Sequence, residues 1–329
     1  MKLLFKIFLS LLAFFVIPSV ILVAVLNLAG TKVVNSLLKL SVNSPARVEK
    51  FETNWLLTEM VLENLRIYNP EGFPKGKLLE VGKILLKLSP KSYLLFGPYA
   101  EIEIENGYLH FVRRSDNATN VAVAFKIPYE RAKVKPLTFE VKKLKVKLYV
   151  ETLEKVRYTA EGIFKGFGNN SEFEIKGFGN LESKETVTDF TVYNWRIRNN
   201  PLLSTLAEIL NEPKLKDLIL SKIEGRIETK GDWLIFSERD TKAFVTNDVL
   251  FAVIHKGSKY NIKTKEVDAE ITLYLPLKMT VRVSGTSDSP KVEILKLKGQ
   301  EVKEKIKALE EKVFQNLLNK FLPIPSTPR

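Results

Sequence analysis

Residues 100–111 read AEIEIENGYLHF. Glu101, Glu103 and Glu105 alternate with Ile102 and Ile104, a period of two that belongs to a β-strand with one wet and one dry face. The same period returns downstream. Leu144, Val146, Leu148 and Val150 alternate with Lys145, Lys147 and Tyr149, while Phe139 and Val141 alternate out of step with them, so a β-bulge is expected across Lys142 and Lys143. The pentapeptide KGFGN occurs at 165–169 and again at 176–180, with SEFEI between. One strand plus one turn fits that spacing, which predicts a meander of antiparallel hairpins with the glycines in the turns.

Strand-like runs dominate the second half as well: IEGRIETKG from Ile223, WLIFSE from Trp233, VLFAVIH from Val249 and VDAEITLYLPLKMTVRVSG from Val267. In the last of these Ile271, Leu273 and Leu275 share one face, as do Met279, Val281 and Val283 beyond Pro276, and the proline argues for a strand break or an edge. Helical signals are few. PLLSTLAEIL from Pro201 to Leu210 begins with proline at a favourable first-turn position, and KLKDLILSKI after Pro213 reads as a second helix. A charged helix is expected from Gln300 to Leu322, with Val302, Ile306, Leu309, Val313, Leu317 and Phe321 on one stripe.

The N-terminus obeys another rule. From Ile7 to Leu26 the chain reads IFLSLLAFFVIPSVILVAVL, twenty residues without a charge, which as a helix spans roughly 30 Å, the thickness of a bilayer core. A cleaved signal would have a shorter apolar region and a small-x-small site. Here the positions before Gly30 are Asn27 and Ala29, and before Val25 they are Leu22 and Ala24. Residues 1–30 are therefore expected to stay on the protein as a transmembrane anchor, kinked at Pro18. Val33, Val34, Leu37 and Leu38 lie at helical spacing, so residues 31–45 are expected to continue the helix as an amphipathic stalk ended by Pro45. Lys2 and Lys6 precede the span. A short basic N-terminus stays cytoplasmic and a long following domain translocates largely regardless of its charge. In a bacterium this would be a single-pass inner-membrane protein with its large domain in the periplasm. Residues 46–298 would form that β-rich domain, and 299–329 the C-terminal helix and tail.

Composition closes several routes. The chain has 329 residues, a formal charge of +13 and no cysteine, which favours anionic partners and excludes disulfides, thiolate metal sites and a cysteine nucleophile. His110 and His255 stand in strand-like surroundings without an acid at ligand or triad spacing, and no HExxH, GxSxG or GKS/T motif occurs. Neither glycine pair of the KGFGN repeats is followed by a helix, so a phosphate-binding loop is not indicated. An enzyme is not expected, nor a cofactor, a metal or a nucleic-acid partner.

The segment VLENLRIYNPEGFP at 61–74 resembles the N-terminal signature of the AsmA-like family, a strand ending in Asn-Pro and followed by Gly-Phe. LLEVGKILLKLS, PKSYLLFG and YAEIEIENGYLHF look like the elements that follow, and Asn120 in NATNVAV like an asparagine common after them. ITLYLPLKMTVRVSGTSDSPKVEI from Ile271 to Ile294 resembles the family's closing pattern. The resemblance implies a mainly β architecture, with an N-terminal transmembrane helix followed by a curled antiparallel sheet forming a β-groove and a few helices. It further implies an envelope protein of outer-membrane assembly that moves phospholipid. No catalytic residues define the family.

An antiparallel sheet that curls without closing can offer its dry face to acyl chains. The expected groove residues are Ile102, Ile104, Leu109, Phe111, Val146, Leu148, Phe173, Ile175, Leu273, Leu275, Val281 and Val283. The same residues would equally make a packed core, since burial is their default. The expected partners are membrane phospholipids and other envelope proteins. A scaffolding protein without lipid cargo is the alternative.

Overall fold

The computed structural model describes residues 23–89, 99–152, 154–166, 169–180, 182–183, 185–198, 207, 213–246, 249–274, 278–286 and 289–297. Most of the apolar run at 7–26, most of the helix expected at 201–210, Leu275 and the C-terminal helix lie outside the described residues. The protein is mainly β and antiparallel, and the chain divides into two compact units, Met1–Thr191 and Val192–Arg329.

The first unit opens with helix α1 (Val23–Ser41), then strands β1 (Ala46–Arg47), β2 (Lys50–Thr53), β3 (Glu59–Tyr68), β4 (Lys77–Leu88) and β5 (Ala100–Arg113). A short helix α2 (Asn120–Ala124) precedes β6 (Leu137–Thr152), β7 (Lys155–Lys165), β8 (Asn170–Asn180) and β9 (Glu185–Arg198), within which the unit boundary falls. From β2 to β8 each strand pairs antiparallel with the next. The expected bulge is present: Lys142 faces Ile163 but Lys145 faces Glu161, so Lys143 and Leu144 oppose a single residue of β7. Asn64, Asn106 and Lys143 all take positive φ. The rows Glu63–Lys83–Glu105 and Leu65–Val81–Gly107 bracket Asn64 and Asn106, so these left-handed residues line up across the sheet as a crease. Asparagine tolerates that conformation because its short side chain can bond locally.

Helix α1 continues past residue 30 as expected, but it ends at Ser41, so the helix is over before Pro45 can break it. Its polar face lies along the edge of the sheet. Asn27, Thr31 and Asn35 recur every four residues and therefore share one helix face. Asn27 accepts from the Thr53 N–H at 2.8 Å and donates to the Thr53 carbonyl at 3.0 Å. Asn35 treats Val48 the same way at 2.7 and 2.9 Å, and Thr31 Oγ1 accepts from Phe51 N–H at 3.0 Å. A carboxamide presents one donor and one acceptor in the same plane, as a peptide group does. The two asparagines thus act as strand substitutes that satisfy the outward backbone of β2, an edge that would otherwise be open to pairing with another chain.

At the other end of α1, Val42, Ile67, Leu78 and Ala124 are buried together, with Leu38, Leu65, Leu79, Leu109 and Val121 packed against them. Asn120, fully buried, locks α2 to the sheet. It donates to the His110 carbonyl at 2.6 Å and accepts from Val112 N–H at 3.0 Å.

The second unit comprises a 3-10 turn (Pro213–Lys216), β10 (Asp217–Lys230), β11 (Trp233–Phe236), β12 (Thr241–Val245), β13 (Val249–Ile254), β14 (Lys259–Asn261), β15 (Glu266–Tyr274), β16 (Lys278–Thr286) and β17 (Ser289–Leu297). β10 pairs with both β11 and β12, and β15 with both β13 and β14, while β12 meets β13 and β11 meets β14. Two interrupted strands thus lie side by side between two long ones, and β16 and β17 extend the sheet. The core comprises Leu215, Leu220, Phe251, Ala252, Leu273, Met279 and Val281, with Ala207.

Two expectations fail here for physical reasons. The helix expected at 214–223 is a strand from Asp217 onward, with Leu220 buried and Ile219 exposed. Ten residues rich in Leu and Ile satisfy either period, and cross-strand partners on β12, where Lys222 meets Phe244 and Ile223 meets Ala243, decide in favour of two. The second KGFGN is not a turn but the C-terminal half of β8. A Cβ on Gly177 would sit 2.5 Å from the Val187 carbonyl and 2.6 Å from the Tyr158 hydroxyl, and one on Gly179 would sit 2.7 Å from the Glu185 carbonyl. These glycines allow β8 a close approach by its neighbours. The first KGFGN does leave its strand, since β7 ends at Lys165.

Candidate functional site

Residues directly opposite each other in an antiparallel ladder share a face. Along one row of the first unit Leu62 faces Ile84, which faces Ile104, then Val146, Ala160 and Ile175. The next row runs Met60, Leu86, Ile102, Leu148 and Tyr158. Every one of these residues is half-buried rather than buried. At about 4.8 Å per strand, the apolar strip from β3 to β8 is about 24 Å long.

The opposite face is ionic. Glu103 lies across from Lys147, and the Lys147 ammonium donates to it at 3.0 Å. That hydrogen bond holds the Glu103 carboxyl below its usual range and raises Lys147, against a smaller opposing effect of desolvation. Lys145 bonds Glu161 at 2.8 Å on the same sheet. The alternation in AEIEIE therefore separates a charged face from an apolar one.

Of the expected groove residues, Ile102, Ile104, Val146 and Leu148 stand in this strip, and Phe173 and Ile175 occupy alternate positions of β8 that continue it. The others separate. Leu109 packs on the closed cluster around Ile67 and Leu78. Phe111 stacks on Phe139 at 4.7 Å, and Phe139 meets Phe164 at 5.0 Å, beside a surface cleft of about 490 Å³ lined by Thr138, Phe139, Glu140, Lys165, Gly166, Asn169 and Asn170. Leu273 and Val281 are 4% and 1% exposed in the core of the second unit, and Val283 packs against that core. A packed core accounts for their apolar character without any ligand. Sequence reading missed Met60, Leu62, Ile84, Leu86, Tyr158 and Ala160. Strand β4, KLLEVGKILLKL, carries apolar residues on both faces, so it shows no alternation to read.

The histidines also differ from expectation in one respect. His255 does have an acid beside it: Nδ1 is 3.5 Å from Asp240 Oδ2, and Nε2 is 2.7 Å from Thr272 Oγ1, which in turn bonds Thr280 Oγ1 at 2.9 Å. Fifteen positions separate Asp240 and His255, so no local spacing could reveal the pair. The arrangement sits where the interrupted strands break. Asp240 Oδ1 accepts from Lys256 N–H at 2.9 Å, and His255 N–H donates to the Glu270 carbonyl at 2.9 Å. Thr272 is 3% exposed, which leaves its hydroxyl out of reach of a substrate, and the network tethers the break. Among the described residues no three His, Asp or Glu side chains converge as metal ligands.

By length and composition α1 is apolar enough to cross a membrane, and only 11% of its most apolar window is buried. No family model, no curated protein and no solved structure matches the chain.

Proposed function

We propose that this is a membrane-anchored, AsmA-like envelope protein that holds phospholipid acyl chains against the dry strip of its first unit. The observation that carries the reading is the row Ile84–Ile104–Val146–Ala160–Ile175, a continuous line of half-buried apolar side chains on a sheet whose other face is laced with ion pairs. A contiguous apolar row that the protein leaves short of full burial offers a surface to an apolar ligand. Its length of about 24 Å exceeds the roughly 15 Å half-thickness of a bilayer core, so an acyl chain fits along it. Asn27, Thr31 and Asn35 commit the latter part of α1 to the sheet edge, so the bilayer-spanning segment is the uncharged run at 7–26. On this reading the large domain lies in the periplasm, anchored to the inner membrane, and contributes to outer-membrane assembly.

The test is a photo-crosslinking side chain placed at Ile104 in the full-length chain in cells, with Lys147 as the position on the opposite face. Phospholipid adducts at 104 and not at 147, identified by mass spectrometry, are expected. Protein adducts alone at 104 would replace the lipid reading with the scaffolding one.

A further inference from the structure

The turn between β2 and β3 carries two neighbouring, exposed, large apolar side chains. Between β2 and β3 the chain reads NWLLT from Asn54, and Trp55 and Leu56 are 64% and 52% exposed. The turn is well built. Asn54 Oδ1 accepts from the Thr58 and Glu59 N–H groups at 2.9 and 3.2 Å, and its Nδ2 donates to Thr58 Oγ1 at 2.8 Å. Leu57 takes a left-handed φ of 57° and donates its N–H to the Asn54 carbonyl at 3.1 Å. A rigid turn that presents indole and isobutyl groups to solvent needs an apolar or interfacial partner, because such a cluster is unfavourable in water.

Direction identifies that partner. The contacts Asn35–Val48, Thr31–Phe51 and Asn27–Thr53 show that β2 runs antiparallel to α1, so the hairpin tip points back along the helix toward its N-terminal end. Trp55 and Leu56 lie in the turn just beyond Thr53, which is bonded to Asn27, and Asn27 is about 6 Å along the helix from Val23. The tip therefore lies toward the first turn of α1, where the uncharged run at 7–26 ends. Val25 and Leu28, on the N-terminal part of α1, are 52% and 85% exposed. Tryptophan favours the boundary between hydrocarbon and headgroups, where its ring is buried and its N–H is wet.

We infer that the Trp55–Leu56 turn inserts into the headgroup–acyl boundary of the bilayer as a second membrane contact beside the transmembrane segment. The domain then meets the membrane through the same end at which α1 emerges, with β2 and β3 held upright by the Asn27 and Asn35 clamps. This inference rests on the anchored reading and not on lipid cargo.

The experiment uses the full-length chain in vesicles of phosphatidylethanolamine and phosphatidylglycerol containing phosphatidylcholine brominated at positions 6,7 or 11,12. Tryptophan fluorescence of the wild type is compared with that of Trp55→Phe, while Trp195 and Trp233 supply the background in both. The expected result is quenching by the 6,7-bromines stronger than by the 11,12-bromines, with most of it lost in Trp55→Phe. Equal quenching in the two proteins, with both floating with the vesicles after carbonate washing, overturns this inference alone. A wild-type chain that fails to float after that washing overturns the anchored reading as well.

Discussion

The side-chain amide of Asn120 donates to the side-chain oxygen of Asn69 at 2.8 Å across 51 positions of sequence. Asn69 ends the strand that reads LRIYNP, and its own amide donates to the Pro74 carbonyl at 2.9 Å. The two asparagines that stand out in separate motifs are therefore one polar network, joining the β3–β4 turn to α2 and β5.

Replacing Asn120 by Ala leaves the Val112 N–H and the His110 carbonyl without a partner in a buried site. Each unsatisfied group costs ~1–3 kcal/mol, so Asn120→Ala is expected to destabilise the first unit by ~3 kcal/mol. Asn69→Ala leaves those two bonds in place, removes the Asn120–Asn69 and Asn69–Pro74 bonds, and should cost ~1 kcal/mol. The double variant should fall short of the sum, because the two share a bond. Pulse proteolysis of the solubilised full-length chain in urea measures all three.

Ile104→Asp and Leu273→Asp place the same charge in two different settings. Ile104 is half-buried on the strip, where water can reach an inserted carboxylate, and the variant is expected to fold with a loss of ~1–3 kcal/mol of apolar burial. Leu273 is 4% exposed in a packed core, where an unpaired charge cannot be accommodated, so Leu273→Asp should unfold the second unit. Circular dichroism and limited proteolysis distinguish the two. Unfolding of the first unit by Ile104→Asp would mean that the strip is covered.

Gly177→Ala tests the account of the second KGFGN. The added methyl would lie 2.5 Å from the Val187 carbonyl, and backbone atoms of a paired strand cannot withdraw without breaking the ladder. A loss of ~1–3 kcal/mol is expected. Ala substitution in an open turn would change stability far less, so a near-neutral result would return Gly177 to the turns.

The Arg196 guanidinium grips Asp217 through two nitrogens, with Arg198 beside it, and lowers the carboxyl from 3.8 to about 2. Since the folded value lies below the unfolded one, the stabilisation is complete above 3.8 and disappears as pH falls through about 2. The melting temperatures of wild type and Asp217→Asn should therefore differ at neutral pH and converge between pH 4 and 2. A gap that stays constant to the lowest pH would remove the ion pair as its cause.

Residue alternation reported the sheet well wherever one face is wet. Ile102 and Ile104 among glutamates, and Val146 and Leu148 among lysines, announced both their strands and their shared side. The bulge at Lys142–Lys145 was legible for the same reason, since a slipped register changes the parity of a visible pattern. Strand β4 was not, because its apolar residues face both ways. Gly177 was misleading, since glycine serves turns and close approaches alike and local sequence does not separate the two.

The sequence by itself determined that this chain is mainly β, that its first residues include a run able to cross a bilayer, and that thiol chemistry is absent. Those properties depend on period, length and composition, which are local. Only the tertiary structure decided which apolar residues are core and which are strip, because Leu109 and Leu273 differ from Ile104 in what lies over them and not in their neighbours along the chain. It also decided the pairings of Asn27 with Thr53, Asn69 with Asn120 and Asp240 with His255. Each joins groups brought together by strand pairing across tens of residues, and a hydrogen bond leaves no periodic trace in a sequence.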